Sequence, residues 1–371
     1  MNETTIPSSI ASRSLLKLFP IPRYLSMPSV GLDLSDRSVR FLELIPEENG
    51  FVVGKYGERV IPEGVMTVGE ISNREKLKEI LVGLRKDYDL HFIRVGLPEE
   101  KAYLFKTEVP SGTPEEVYTN LESQLEENVP ISPAEAVFDY DHIKTESPSA
   151  NHLSVSVSVI PQKIVNDFSS IFIEAGLAPL SFEIEAQAIA RSVVATGDYG
   201  TYMIVDFGKT HTGLSVKSEG VIRYTSTIEI GGLALTKALE KAFNLSTEEA
   251  EKKKKEKGLD KAAENRAVFD SLLTAMGAWR DEINKHFMYW HTTSKDQKKA
   301  AVEQPIQKII LCGGDANLAG LCEYLSSTMK VKVELANVWE NVFQFEKHIP
   351  TIRANDSLRY ATAIGLALRF Y

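Results

Sequence analysis

The chain has 371 residues, 43% of them hydrophobic and 25% charged, an ordinary globular composition with room for about two or three domains. Its net charge of −9 leaves no broad basic face, which excludes general nucleic-acid binding. Cys312 and Cys322 are too few for a disulfide framework or a zinc-ligand set and fit a reducing compartment, and with no run of 18 apolar residues and no leader pattern, neither a membrane span nor a secretory signal is expected.

Residues 1–28 are rich in Ser and Pro and predict a flexible tail, because Pro20 and Pro22 break any helix in SLLKLFPIPRYL. Leu15, Leu16, Leu18 and Phe19 beside Lys17 and Arg23 give that tail at most a weak membrane-surface contact. Then comes VGLDLSDRSVRFLEL, Val30 to Leu44: an apolar entry, Asp33, a small polar turn through Ser35 and Ser38, and a return strand with Val39, Phe41 and Leu44. A third strand, Phe51 to Tyr56, and a helix, Arg74 to Arg85, follow.

A second block opens with a strand at Phe92 to Leu97. Thr113, Pro114 and Glu116 form a capping box with proline at the first helical position, leading to Val117, Leu121 and Leu125 at helical spacing. LSVSVSV, Leu153 to Val159, alternates as a strand buried on one face. A helix with Ile164, Val165, Phe168, Ile171 and Phe172 inside then runs to Gly176. This order predicts a small α+β insertion that leaves the main sheet near Leu90 and rejoins it near Ser181.

After a helix from Ile184 to Val194, MIVDFGKTHTGLSV repeats the first hairpin: an apolar run into Asp206, a turn through Gly208, Thr210 and Thr212, and a second strand. Ile230-Gly231-Gly232 turns into a helix, Leu233 to Phe243, and Ser246 with Glu249 caps a charged helix that ends at Gly258. Val268, Leu272, Ala275, Trp279, Ile283, Phe287 and Trp290 share one face of a long helix, the pattern of packing rather than of a cofactor box. IILCGGDANLAGLCEYL predicts a buried strand, a Gly313-Gly314 turn and a helix from about Asn317, with a last helix at Ser357 to Leu368. Both cysteines read as small buried apolar residues.

Two hairpins of one design, one in each half, suggest a duplicated domain closing on a shared ligand. A tight turn of Gly, Ser and Thr offers N–H groups and hydroxyls to phosphate oxygens. An Asp at the strand end before it can hold Mg²⁺, which takes few protein carboxylates and keeps several waters. Taken singly, each turn is equally an ordinary hairpin turn.

With the Asp33 turn, the Asp206 turn and Gly313-Gly314 in this order, the chain resembles the actin-like ATPase superfamily of actin and sugar kinases. VGLDLSDRSVRFLEL, FGKTHTGLSV, Ile230 to Gly232 with Leu235-Thr236, GGDANLAGLCEYL and YATAIGLALR resemble the PilM family of type IV pilus assembly proteins, relatives of the cell-division protein FtsA. The resemblance runs from about Ser29 to the C-terminus. It implies an α/β, actin-like ATPase fold of two duplicated RNase H-like domains, residues 29–200 and 201–371. The first would carry an FtsA-type 1C (SHS2) insertion at about 92–180, and the second a helix-rich insertion at about 236–305.

The same resemblance implies ATP and Mg²⁺ as cofactors. It assigns Asp33 and Asp206 to metal and phosphate, with Ser35, Ser38, Gly208, Thr210 and Thr212 in the phosphate loops. Gly231 and Gly232 border the site, Gly313, Gly314 and Ala316 form the adenosine loop, Glu251 and Lys254 flank ribose and adenine, and Glu185 orients water. Glu251 and Lys254, three apart, share a helical face, although Lys252 to Lys255 is equally a solvated run at a helix C-terminus.

Three residues depart from the family pattern: Ser35 stands for Gly, Asp36 for a small residue, and Asp315 for the third Gly. A carboxylate about 4 Å from a phosphate charge costs up to about 4 kcal/mol at an effective dielectric near 20. Weak or conditional nucleotide binding, with slow Mg-dependent hydrolysis at most, is therefore expected. The implied role is a cytoplasmic scaffold peripheral to the inner face of the cytoplasmic membrane, attached through its partner or weakly through its tail. It would dock the N-terminal cytoplasmic peptide of a PilN-type inner-membrane protein in a groove involving the 1C block, with self-association left open. An FtsA-like division scaffold is the alternative, and a small-molecule kinase, which needs a base that nothing beyond Asp206 supplies, a weaker one.

Overall fold

The computed structural model describes residues 29–47, 50–143, 151–296, 304–344 and 348–369; the tail expected at residues 1–28 lies outside them. Strands β1 (Ser29–Ser35), β2 (Ser38–Glu47) and β3 (Gly50–Val60) form an antiparallel meander in which Asp33 faces Arg40 across the first hairpin. A minimal hairpin of β4 (Met66–Thr67) and β5 (Glu70–Ile71) precedes α1 (Arg74–Tyr88). The Asn73 side chain caps α1 by accepting the Lys76 N–H at 3.1 Å, and Leu77, Leu81 and Leu84 form its buried stripe.

Strand β6 (Phe92–Leu97) runs parallel to β1 in the main sheet, and this moves the expected edge of the insertion. Its run from Ile93 to Leu97 is buried throughout, as suits a parallel strand covered on both faces. The inserted block begins later. It comprises β7 (Tyr103–Pro110), α2 (Pro114–Asn128), β8 (Ala136–His142) and β9 (His152–Pro161), in a sheet ordered β7-β9-β8. Thr113 and Glu116 close the capping box, and Val117, Leu121 and Leu125 of α2 pack on Val155, Val157 and Val159 in a small core of their own.

Helix α3 (Gln162–Glu174) and strand β10 (Ala178–Ile184) then return to the main sheet, ordered β10-β6-β1-β2-β3. The insertion therefore spans about residues 103–161, not 92–180. The helix ending at Gly176 was expected inside it, but α3 packs on α1 and β10 of the main body.

Helix α4 (Glu185–Val193) leads into the second half, where β11 (Tyr202–Phe207), β12 (Thr212–Ser218) and β13 (Val221–Ile228) repeat the meander. Helices α5 (Gly232–Phe243), α6 (Thr247–Lys257) and α7 (Arg266–Asp296) intervene before β14 (Lys308–Cys312). Next come α8 (Leu321–Met329), β15 (Lys332–Leu335), α9 (Ala354–Ser357) and α10 (Ala361–Ala367). The closing helix expected from Ser357 to Leu368 is thus two short helices joined by a 3₁₀ turn at Leu358–Tyr360. The second sheet is ordered β13-β12-β11-β14-β15, with β14 parallel to β11 as β6 is to β1. Each sheet is thus three antiparallel strands extended by two parallel ones, which is the duplication.

Helices α4 and α10 pack so tightly that a Cβ on Gly365 would lie 1.8 Å from the Ala188 carbonyl oxygen. Trp279 of α7 is fully buried and stacks on Phe207 with ring centroids 4.4 Å apart. Ala275 and Phe287, on the same face, are only partly buried. Cys312 is buried as expected, while Cys322 is half-buried.

Candidate functional site

Asp33 lies near the end of β1 and Asp206 near the end of β11, so the two hairpin tips, one from each sheet, meet across a cleft of about 260 Å³. Ten of the residues singled out from sequence line it: Asp33, Ser35, Ser38, Glu185, Asp206, Gly208, Thr210, Glu251, Gly313 and Gly314. The wall at Gly313 needs glycine. Its φ of +93° is a left-handed conformation, and a Cβ would sit 2.3 Å from Asp206 Oδ1. The predicted helix start at Asn317 is displaced: residues 313–320 are turns and α8 begins at Leu321. The backbone approaches the cleft there, and the helix terminus does not.

The electrostatics are those of buried carboxylates kept close together, with Arg40 as the cation beside Asp33. Asp33 is 5% exposed. Burial drives its pKa up to about 6; Arg40, with Nη1 3.5 Å away, pulls it down and Asp206 pushes it up. Asp206 is also raised by burial, against His211 and Arg40. Glu185 at the start of α4 is raised well above the usual range by burial, then by Asp33 and Glu100. Arg40 is itself shared with Glu58, 3.0 Å away, which Arg359 also contacts at 3.3 Å.

Sequence reasoning missed two members of this cluster, Glu99 and Glu100. They sit on the 3₁₀ turn Glu99–Lys101, just after the C-terminal end of β6. Glu99 is 7% exposed, its Oε1 has no hydrogen-bond partner, and burial followed by Asp206 raises its pKa strongly. The available signal was positional, since ligand sites in α/β sheets gather beyond the carboxyl ends of parallel strands.

Five assigned residues do not line the cleft: Thr212, Gly231, Gly232, Lys254 and Ala316. The Thr212 hydroxyl, fully buried, donates to the Ile230 carbonyl at 2.6 Å and accepts the Trp279 indole N–H at 2.8 Å. It fastens α7 to the hairpin. Thr212→Val is accordingly expected to cost about 1–2 kcal/mol, because it strands a buried indole N–H; an unchanged denaturation midpoint would contradict this role.

A second, larger cavity of about 750 Å³ lies where the inserted sheet meets α4 and the β12–β13 turn. Its floor is apolar, with Leu97, Ile160, Val165, Phe182, Ile184 and Val194. Two sheet edges border it, since among the described residues β8 pairs only with β9 and β10 only with β6. At one end Glu183 is buried and held by both guanidinium nitrogens of Arg191, at 2.5 and 2.7 Å, and by Arg369 at 3.2 Å. Helix α4 faces both cavities, Glu185 toward the cleft and Gln187, Ala190 and Arg191 toward the groove.

Residues 31–371 match the model of a family described as type IV pilus assembly protein PilM. The chain belongs to the PilM family. Solved structures with similar folds include a PilM-PilN type IV pilus biogenesis complex, at TM-score 0.74 and 20% identity over 92% of this chain and 98% of that one. Others are MreB5 of Spiroplasma citri bound to ADP (TM-score 0.53, 13% identity, 91% and 94% covered) and the ethanolamine utilization protein EutJ from Carboxydothermus hydrogenoformans (TM-score 0.51, 17% identity, 94% and 90% covered). The fold is the actin-like ATPase fold. Among the described residues no helix is long and apolar enough to cross a membrane.

Two departures from the PilM-family pattern have structural answers. Asp36 turns away from the cleft, where its carboxylate accepts the N–H groups of Val68 at 3.0 Å and Gly69 at 3.2 Å. It therefore adds no charge beside a bound phosphate. Asp315 does line the cleft, but its Oδ1 is 2.6 Å from Lys254 Nζ. Lys254 also contacts Glu251 Oε2 at 2.9 Å and the Gly232 carbonyl at 3.2 Å. The residues assigned to ribose and adenine thus hold one another. The cleft volume falls just below the ~300–1,000 Å³ usual for ligand pockets. Mg²⁺ ordinarily takes one or two protein carboxylates together with phosphate oxygens, and Asp33 and Asp206 could supply them.

Proposed function

We propose that the chain is an actin-like scaffold of type IV pilus assembly that docks the N-terminal cytoplasmic segment of a PilN-type inner-membrane protein in the larger groove. It would work in the cytoplasm, held at the inner face of the membrane by that partner. The observation that carries the reading is the groove itself, with its apolar floor between β8 and β10, each an edge strand of its sheet among the described residues. An extended segment can add to such an edge through its main chain and set apolar side chains on the floor. The occurrence of a PilN partner in the similar PilM-PilN structure supports it.

The cleft is the proposed regulatory site. Asp33 and Asp206 would hold Mg²⁺, and the turns at Ser35, Ser38, Gly208 and Thr210 would hold phosphates of ATP. Bound Mg²⁺ supplies positive charge where carboxylates from the two halves repel each other, so its binding favours closure. Glu185 is placed to orient water, and any hydrolysis would be slow. Because α4 carries residues of both cavities, closure at Glu185 would reach the groove wall at Ala190 and Arg191.

Titration of a labelled peptide with the partner's N-terminal sequence tests the docking reading. Ala195 is half-buried on the groove wall. Ala195→Trp is expected to weaken the peptide about tenfold, the scale of blocking one anchor pocket. Equal binding of the scrambled peptide, or no effect of the indole, would reject the groove.

A further inference from the structure

The nucleoside side of the cleft is already filled by the chain's own charges. Lys254 is 1% exposed, and an ammonium has three donors. All three are used internally, on Asp315, Glu251 and the Gly232 carbonyl. Glu251 is also engaged, accepting the Thr236 hydroxyl at 2.7 Å and contacting Lys255 at 3.3 Å. The second oxygen of Asp315 covers Gly232 so closely that a Cβ there would lie 2.1 Å from it. Asp315 stands between the open cleft, which it lines, and Gly232 and Lys254, which do not reach it.

A nucleoside entering from the phosphate side would have to displace that carboxylate from its ammonium. The displacement would also leave a buried Lys254 to be satisfied again by the ligand. Only molecules with Asp315 swung aside would be competent, and the apparent affinity falls by the fraction that are.

We propose that Asp315 is an internal occupant of the nucleoside subsite, clamped by Lys254, and that this carboxylate sets the chain's affinity for nucleotide. The inference rests on the reading of the cleft as a phosphate site. It predicts that the native chain gains little from the nucleoside and discriminates weakly between a nucleotide and bare polyphosphate. Emptying the position over Gly232 would restore the difference.

The test compares Mg-ATP with Mg-tripolyphosphate, by calorimetric titration, in the native chain and in Asp315→Gly and Asp315→Asn. In the native chain the two ligands should bind within about threefold of each other. In Asp315→Gly, ATP should tighten roughly tenfold while tripolyphosphate moves much less, as expected when an occluded state is removed. Asp315→Asn keeps the bulk and removes the charge, so an equal gain for both ligands in Asn and Gly would mean simple repulsion and overturn the proposal. No gain in Asp315→Gly would overturn it too. Tripolyphosphate binding to none of the three chains would sink the phosphate reading, and this inference with it. Should the glycine variant lose its cooperative unfolding transition, Asp315→Ser, which also uncovers Gly232, gives the same comparison.

Discussion

Lys254→Met is expected to lower stability by about 3 kcal/mol at neutral pH, the scale of removing one partner from a buried ion pair. The lysine is almost wholly buried, and the side chains it serves, Asp315 and Glu251, are 12% and 29% exposed. Without the ammonium, Asp315 has no cation within salt-bridge distance among the described residues, whereas Glu251 keeps Lys255. The loss should therefore fall at the low end of the usual range. Its pH dependence gives the mechanism away. Burial alone would raise Glu251, but the hydrogen bond and charge of Lys254, with Thr236, bring it down to about 2 from an ordinary 4.5. A carboxyl depressed by folding contributes stability that is present above pH 4.5 and lost as pH falls toward 2. The gap between native and variant chains should accordingly narrow on acidification through that window. Chemical denaturation followed by tryptophan fluorescence at pH 7 and pH 3.5 measures it. A gap that is constant with pH would mean that Lys254 acts through packing alone.

The sequence made the two hairpins legible because each compresses into one short segment the signals that govern it: apolar alternation, a terminal Asp and small turn residues. Asp33, Asp206, Gly313 and Gly314 meet in space as their positions in the two halves suggested. Boundaries that depend on tertiary pairing were not legible. Ile93 to Leu97 reads as an apolar strand in any sheet, and only its pairing with β1 and β10 assigns it to the main one. Side-chain direction was equally hidden. Nothing local tells that Asp36 turns to Val68 and Gly69, more than thirty residues on, while Asp315 turns to Lys254 of α6. Thr212 illustrates the same limit. Its place in a hydroxyl-rich turn suggested a ligand contact, but strand pairing directs it inward to Trp279, whose own position was read correctly as packing.

Replacing Asp33 by Asn should stabilise the unliganded chain at neutral pH, by up to about 3 kcal/mol, given ~1.36 kcal/mol per pKa unit and a carboxyl raised from 3.8 to about 6. Burial is the first cause, opposed by Arg40 and reinforced by Asp206. The sign follows from linkage. The folded chain holds this proton more tightly than the unfolded one, so the contribution is fully present below pH 3.8 and is lost as pH rises through 6. At pH 7 the native chain is folded with an ionised Asp33 that burial disfavours, and the amide avoids that cost while still able to contact Arg40. The advantage of the variant should thus grow between pH 4 and pH 7, and vanish below it. Magnesium with nucleotide or polyphosphate should stabilise the native chain and leave Asp33→Asn little changed, because the variant lacks the charge the metal would balance. Denaturation curves at pH 4, 5.5 and 7.5 with and without Mg-tripolyphosphate separate these terms. A variant less stable than the native chain at all three values would show that Asp33 is a structural partner of Arg40. A carboxylate whose removal strengthens the empty fold is instead one whose energetic return comes only with a bound cation.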